Sequence, residues 1–162
     1  MKTRTKISLI VIILLTISLS FWYAFAPYID AYRVNKNIEI SGIKLLMTSS
    51  DVEKILGKGS PIDGFGASFY RYDNSDISIA YPSDGLLKSK ANWIEIYDTN
   101  YSIYDVRVGD SLQKAQAVLE KHGFRQEQSD KNIFKRGSAR VSIYEQSIRV
   151  NVEDWTLRGR VY

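Results

Sequence analysis

A chain of 162 residues has room for one domain of ordinary size plus an appendage, and 44% apolar with 12% aromatic content is too rich in core-forming side chains for a disordered chain. The net charge of +4 does not describe a basic domain: Lys2, Arg4 and Lys6 precede the first acidic residue, Asp30, and beyond them 19 basic residues face 18 acidic ones, so no nucleic-acid partner is expected. The absence of cysteine excludes disulfides, thiol nucleophiles, thiolate metal sites and a lipid-modified N-terminal cysteine.

From Ile7 to Ala26 the chain runs without a charge or a proline. As a helix rising ~1.5 Å per residue, this stretch matches the ~30 Å hydrocarbon layer of a bilayer, which makes residues 7–26 a transmembrane signal anchor with the lipid bilayer as partner. Residues 1–6 form a basic tail that stays cytoplasmic by the positive-inside rule, placing the C-terminal domain outside in a single-pass cell-membrane topology. Phe21, Trp22, Tyr23, Phe25, Tyr28 and Tyr32 cluster at the far end, where amphipathic rings favour the interface. The competing reading is a cleaved signal that releases a secreted protein, with "AFA" at 24–26 or "SLS" at 18–20 as the cleavage site. Pro27 disfavours cleavage after Ala26, because a peptidase that binds its substrate extended meets a fixed φ and a missing N–H. The apolar run also exceeds the roughly 7 to 15 residues usual in signal peptides. Residues 27–37 read as a juxtamembrane linker, and an extracytoplasmic domain follows over 38–162.

Two short helices are spelled out in the same way. In "MTSSDVEKILGKG", Thr48 caps, Asp51 sits in the first turn, Val52, Ile55 and Leu56 form an apolar face, and Gly57 stops the helix. In "GDSLQKAQAVLEKHG", Asp110 caps with Gln113 three residues on; Leu112, Ala115, Val118 and Leu119 form the stripe, and Gly123 closes it. The offset is 62 at these caps and 63 at the apolar positions, which implies one inserted residue.

The strands echo as well. "YR" at 70–71 recurs as "FK" at 134–135, and "ISI" at 77–79 as "VSI" at 141–143, followed by alternating strands "NWIEIYD" at 92–98 and "SIRVNVED" at 147–154. A longer loop with Pro82 and Gly85 precedes the first of these last strands, and Ile38–Ile40 and Ile103–Val108 read as extra strands before each helix. The expected fold is α+β: an N-terminal transmembrane helix, then two helix-plus-three-strand repeats, about 38–98 and 103–154, sharing one antiparallel sheet with both helices on one face. A single such unit buries too little surface to be stable alone, whereas two joined by their strands complete one core.

The stretch "MTSSDVEKILGKGSP" resembles the helix signature of small extracytoplasmic domains of the beta-lactamase inhibitor protein-like and SmpA/OmlA-like superfamily. The resemblance is carried by Met47, Thr48, Val52, Ile55, Leu56 and Gly57, with Gly109 and Asp110 keeping the turn in the second copy. Leu46 stands where the signature has glycine, and the proline arrives late, at Pro61. The resemblance implies a two-unit fold with a concave sheet and a binding role; it does not imply a beta-lactamase as target.

Alternation assigns faces. Ile77, Ile79, Ile94, Ile96, Val141, Ile143, Ile148, Val150 and Val152 share the parity that should face the helices. The opposite parity carries Trp93, Tyr97, Arg140, Tyr144 and Arg149, residue types that anchor protein interfaces, and these five are the candidate partner-binding residues for an envelope or secreted protein. The alternative function is a small-ligand sensor or envelope enzyme with its site between the two repeats.

Catalytic and metal candidates are thin. His122, the one histidine, falls at the end of an apolar stripe just before Gly123, where a helix C-terminus suits an imidazole. One histidine without cysteine makes no ordinary zinc set, and no cofactor motif is present. Asp73 with Asp76 reads as a turn and Glu153 with Asp154 as a strand end. "GKGS" at 57–60 ends a helix where a phosphate loop would open one.

Overall fold

The computed structural model describes residues 2–64 and 66–157, with side chains from Val11 to Thr156. Met1, the side chains of the basic flank and residues 158–162 of the expected domain lie outside the described residues. The first helix, α1, spans Lys2–Asn35 and passes through Pro27. Residues 27–37 are therefore not a linker, and the domain does not begin at Ile38. A proline inside a helix removes one backbone bond and crowds the preceding turn. Tertiary packing offsets that loss here, because Ala31 and Val34, one turn apart, are fully buried in the domain core. Asn35 then clamps the helix end to the domain: its Oδ1 accepts from the Leu45 N–H at 2.8 Å and its Nδ2 donates to the Leu45 carbonyl at 3.0 Å.

Val11–Asn35 is long and apolar enough to cross a membrane. In its N-terminal half apolar side chains point outward on every side, with Leu14, Leu15 and Ile17 each about 60% exposed.

After α1, β1 (Ile38–Glu39) pairs antiparallel with β6 (Ser102–Ile103), which pairs in turn with β7 (Val106–Arg107). The extra strands thus join each other in a small sheet of their own. Tyr104 and Asp105 turn the β6–β7 hairpin with φ of 54° and 61°, the left-handed values that such a two-residue turn demands and that glycine or asparagine usually supplies. Tyr104 is held there by burial and by its N–H, which donates to the Asn37 carbonyl at 2.7 Å.

Helix α2 (Ser49–Leu56) is capped as its sequence indicates. Thr48 Oγ1 accepts from the Asp51 N–H at 3.3 Å, and Gly57 ends the helix at φ 80°. Helix α3 (Leu112–Lys121) departs from expectation, because Ser111 and not Asp110 is its cap, accepting from the Lys114 N–H at 3.3 Å. Asp110 instead accepts from the Arg107 N–H at 2.9 Å and pairs with Lys114 Nζ at 2.7 Å, closing the turn one residue earlier. With Ser111 as cap, the offset from Thr48 is 63, equal to that of the apolar positions, so no insertion is needed.

The large sheet has eight strands, antiparallel throughout. They are β2 (Ser60–Ile62), β3 (Ala67–Tyr72), β4 (Ile77–Pro82), β5 (Trp93–Ile96), β8 (Arg125–Gln126), β9 (Ile133–Arg136), β10 (Ala139–Ile143) and β11 (Ile148–Val152), in the order β2-β3-β4-β5-β11-β10-β9-β8. Four strands follow each short helix where three were expected. The two missed strands are the edges, too short to alternate, and Pro61 in β2 fits an edge because it has no N–H to give an inner ladder. One row across the sheet reads Ile79, Ile94, Val150, Val141, Phe134, and another Ile77, Ile96, Ile148, Ile143. These side chains are buried in one core with Val52 of α2, Ala115 and Leu119 of α3, and the end of α1. The loop after β4 is tied down by Asp154, whose Oδ2 accepts from the Leu87 N–H at 3.0 Å.

Candidate functional site

Because strand side chains alternate, the core-facing rows fix what the other face presents. The next rows across the sheet are Arg71, Ser78, Glu95, Arg149, Ser142, and Phe69, Ala80, Trp93, Asn151, Arg140, Lys135. Trp93, Arg140 and Arg149 lie in these rows, and Tyr97 and Tyr144 follow directly on the ends of β5 and β10. All five candidates are half-buried on the face opposite the core.

Arg149 is the centre. Its Nη2 lies 3.4 Å from both carboxylate oxygens of Glu95, across the β5–β11 junction. Its guanidinium sits 4.8 Å from the Trp93 ring centre and 5.2 Å from that of Tyr144, both within cation–π range. Glu95 is 6% exposed and also accepts from Ser147 Oγ at 2.6 Å, so the buried charge has two partners. Trp93 is met edge-on by Phe69 at 5.7 Å.

Two further clusters flank this one. Arg140 Nη2 bonds Glu153 at 2.8 Å and Glu127 at 3.2 Å, and Lys135 Nζ bonds the other oxygen of Glu153 at 2.9 Å. On the opposite side the Arg71 guanidinium covers the Tyr97 ring at 4.3 Å and pairs with Asp73 and Asp76 at 3.3 and 3.1 Å. Burial, and then the nearby Glu95 charge, push the Tyr97 phenol above its ordinary pKa, so it stays neutral and a hydrogen-bond donor at physiological pH. The face is thus a band of cations, most of them planar guanidinium groups, and aromatic rings, each cation already paired with a carboxylate.

The sequence reading missed Phe69, Arg71, Glu127 and Lys135 as members of this face. In "ASFYRY" aromatic residues fall on both parities, so β3 gives no alternation to read. Glu127 lies outside any strand, and β9 is only four residues long.

The remaining motifs fall elsewhere. His122 is exposed at the end of α3, its ring 4.7 Å from that of Tyr104. Gly57 of "GKGS" is the α2 stop. Asp154 is buried beneath the loop after β4, while Glu153 belongs to the Arg140 cluster. Among the described residues no group of three or more His, Asp or Glu is placed to hold a metal ion.

The sequence matches no protein-family model and no curated protein. A solved structure of similar fold is an extracellular protein containing an SCP domain from Bacillus anthracis str. Ames, with a TM-score of 0.52 and 9% identity. The likeness covers 73% of this chain and 47% of that one, so the chain spans about half the length of that protein. That neighbour is not one of the inhibitor-like proteins that the α2 signature resembles. At this identity the likeness is one of fold alone.

Proposed function

We propose that this protein is a membrane-anchored extracytoplasmic binding module that holds an envelope or secreted protein on the sheet face centred on Arg149, without catalysing a reaction. The observation that carries the reading is the gathering of Trp93, Tyr97, Arg140, Tyr144 and Arg149 on the face opposite the core, side chains that combine large apolar area with polar handles.

Membrane anchoring is supported by the outward-facing apolar residues of α1, whose exposure to water is unfavourable on every side of the helix. The basic flank favours a cytoplasmic N-terminus. Retention of the anchor, in place of signal cleavage, is supported by contacts from residues upstream of Ala26 to the domain. The Tyr23 ring lies 5.4 Å from that of Trp155, a contact that cleavage after Ala26 would remove. We also read the sheet as an internal duplication, α2 with β2–β5 and α3 with β8–β11, joined at β5–β11. Equal cap and apolar offsets and the mirrored strand order support this, and the α2 signature supports kinship with the inhibitor-like and SmpA/OmlA-like domains. The alternative of a small-ligand site between the halves is disfavoured because the β5–β11 junction is filled by a hydrogen-bonded ladder and by the Glu95–Arg149 pair.

The test is a photo-crosslinking amino acid placed in cells at position 97, at 144, and at exposed Lys121 as control. The reading expects a discrete protein adduct from 97 and 144 that position 121 does not give. Equal adducts from all three positions, or none at 97 and 144, would refute it.

A further inference from the structure

Two cavities adjoin where the apolar part of α1 meets the domain. The first, about 320 Å³, is bounded by Ala26 and Arg33 of α1, by Arg136 and Gly137 of the β9–β10 turn, and by Trp155. The second, about 430 Å³, is lined by Leu19 and Ala24 of α1 and by Leu86 and Thr156. Tyr23 lines both, its ring 5.4 Å from that of Trp155, so the two cavities adjoin at this aromatic pair.

Its ends differ in chemistry. Arg33 and Arg136 bring two guanidinium groups to the first cavity, against one carboxylate, Asp30. That carboxylate is already engaged: Oδ2 accepts from the Ser138 N–H at 2.8 Å and its hydroxyl at 2.9 Å, and Oδ1 lies 3.6 Å from Arg33 Nη1. Arg136 spends its terminal nitrogens on the His122 carbonyl and the Tyr104 hydroxyl, and its buried Nε has no hydrogen-bond partner among the described residues. The second cavity is apolar, with Leu19 and Leu86 both exposed.

We propose that these adjoining cavities bind one anionic phospholipid of the surrounding leaflet, its phosphate held by Arg33 with the Arg136 charge beside it and one acyl chain along Leu19 and Leu86. The proposal rests on the membrane reading above. The direction fits, because the cationic end lies toward the domain and the apolar end toward the exposed span, as headgroup and chain lie in a leaflet. The length fits as well: fourteen residues of helix from Leu19 to Arg33 rise ~21 Å. Half of a bilayer including its headgroup region is roughly 20–22 Å. Trp22, Tyr23 and Trp155 stand between the two ends, at the depth where such rings favour the interface.

The experiment uses the full chain in vesicles of phosphatidylcholine alone or mixed three to one with phosphatidylglycerol. Flotation reads insertion, and native mass spectrometry after mild detergent release reads retained lipid. We expect insertion into both vesicles and one retained phosphatidylglycerol per chain, enriched about fivefold per arginine over its share of the mixture. Arg33→Gln, at an exposed position, should lose about fivefold of that enrichment, and Ala26→Phe, which fills the first cavity, should abolish retention. A chain that floats but retains no lipid, shows no preference for phosphatidylglycerol, or retains it equally in Arg33→Gln overturns the site and leaves the anchor standing. A chain that floats with neither vesicle overturns the anchor and the site together.

Discussion

Replacing Arg149 by methionine isolates the energetics of the proposed face. Its guanidinium is the nearest opposite charge to Glu95, at 3.4 Å from each oxygen, and the Glu95 side chain is 8% exposed. At an effective dielectric near 20 such a contact is worth ~4–5 kcal/mol of Coulomb energy. The Arg149 side chain is 33% exposed, so solvent screens the pair, and Ser147 Oγ remains as a donor to Glu95. These corrections bring the expected cost of Arg149→Met to about 2 kcal/mol, mostly from leaving Glu95 buried and underpaired. Glu95→Gln in the same chain removes the stranded charge, so the double variant should be more stable than the sum of the single changes by about 1 to 2 kcal/mol. Urea unfolding of the full chain in detergent micelles, followed by the near-ultraviolet signal of its buried tyrosines, measures all three variants. If the two changes add to within about 0.3 to 0.5 kcal/mol, Glu95 does not depend on Arg149 and the central cluster described above is wrong.

Gly137→Ala should loosen α1 from the domain, because a Cβ there would come within 2.3 Å of Asp30 Oδ2 at a residue with φ 60°; faster hydrogen exchange over residues 28–35 is the readout. Ser111→Ala should cost about 1 kcal/mol of stability by uncapping α3, whereas a cost confined to Asp110→Ala would restore Asp110 as the cap. Leu119→Ala, at a fully buried site, should cost about 2 to 5 kcal/mol in the same unfolding assay. The Asp110 carboxyl is pushed up by partial burial but held below its ordinary value of 3.8 on balance by the Lys114 hydrogen bond, the Arg107 N–H and both cations. A carboxyl with a depressed folded pKa contributes stability above its unfolded value that is lost as pH falls through the folded one, so Asp110→Asn should flatten the acid limb of the stability curve below about pH 4. An unchanged acid limb would refute that assignment.

The parts of the fold that the sequence disclosed are those where one chemical signal dominates. Alternation in Ile77–Ile79, Ile94–Ile96 and Val141–Ile143 marked the core face of three inner strands. Their registers then placed Trp93, Arg140 and Arg149 together, because parity is conserved across a ladder. What stayed hidden depends on distant partners. Residues 27–37 look like a linker because Asp30, Arg33, Asn35 and Lys36 are polar. Nothing local says that Ser138 and Leu45 await Asp30 and Asn35, 108 residues away in one case and ten in the other. The Asp110 and Ser111 caps differ by a single residue and are chemically equivalent, so only the geometry of the preceding turn decides between them. Burial of Glu95 was equally invisible, since its partners come from β11 and the turn before it.

The unbroken passage of α1 into the core changes how the sheet face meets its surroundings. A flexible stretch of ten residues would have an end-to-end distance of roughly 16–19 Å and would let the face tumble through every orientation. Buried Ala31 and Val34, with the Asn35 clamp, replace that freedom by one angle between the helix axis and the strands. On the proposed membrane-anchored reading, a partner would meet a bracket, with the Arg149 cluster held at one height and one heading above the bilayer. Capture would then be directional, because the orientational entropy that a tethered domain would lose on binding has already been lost in folding.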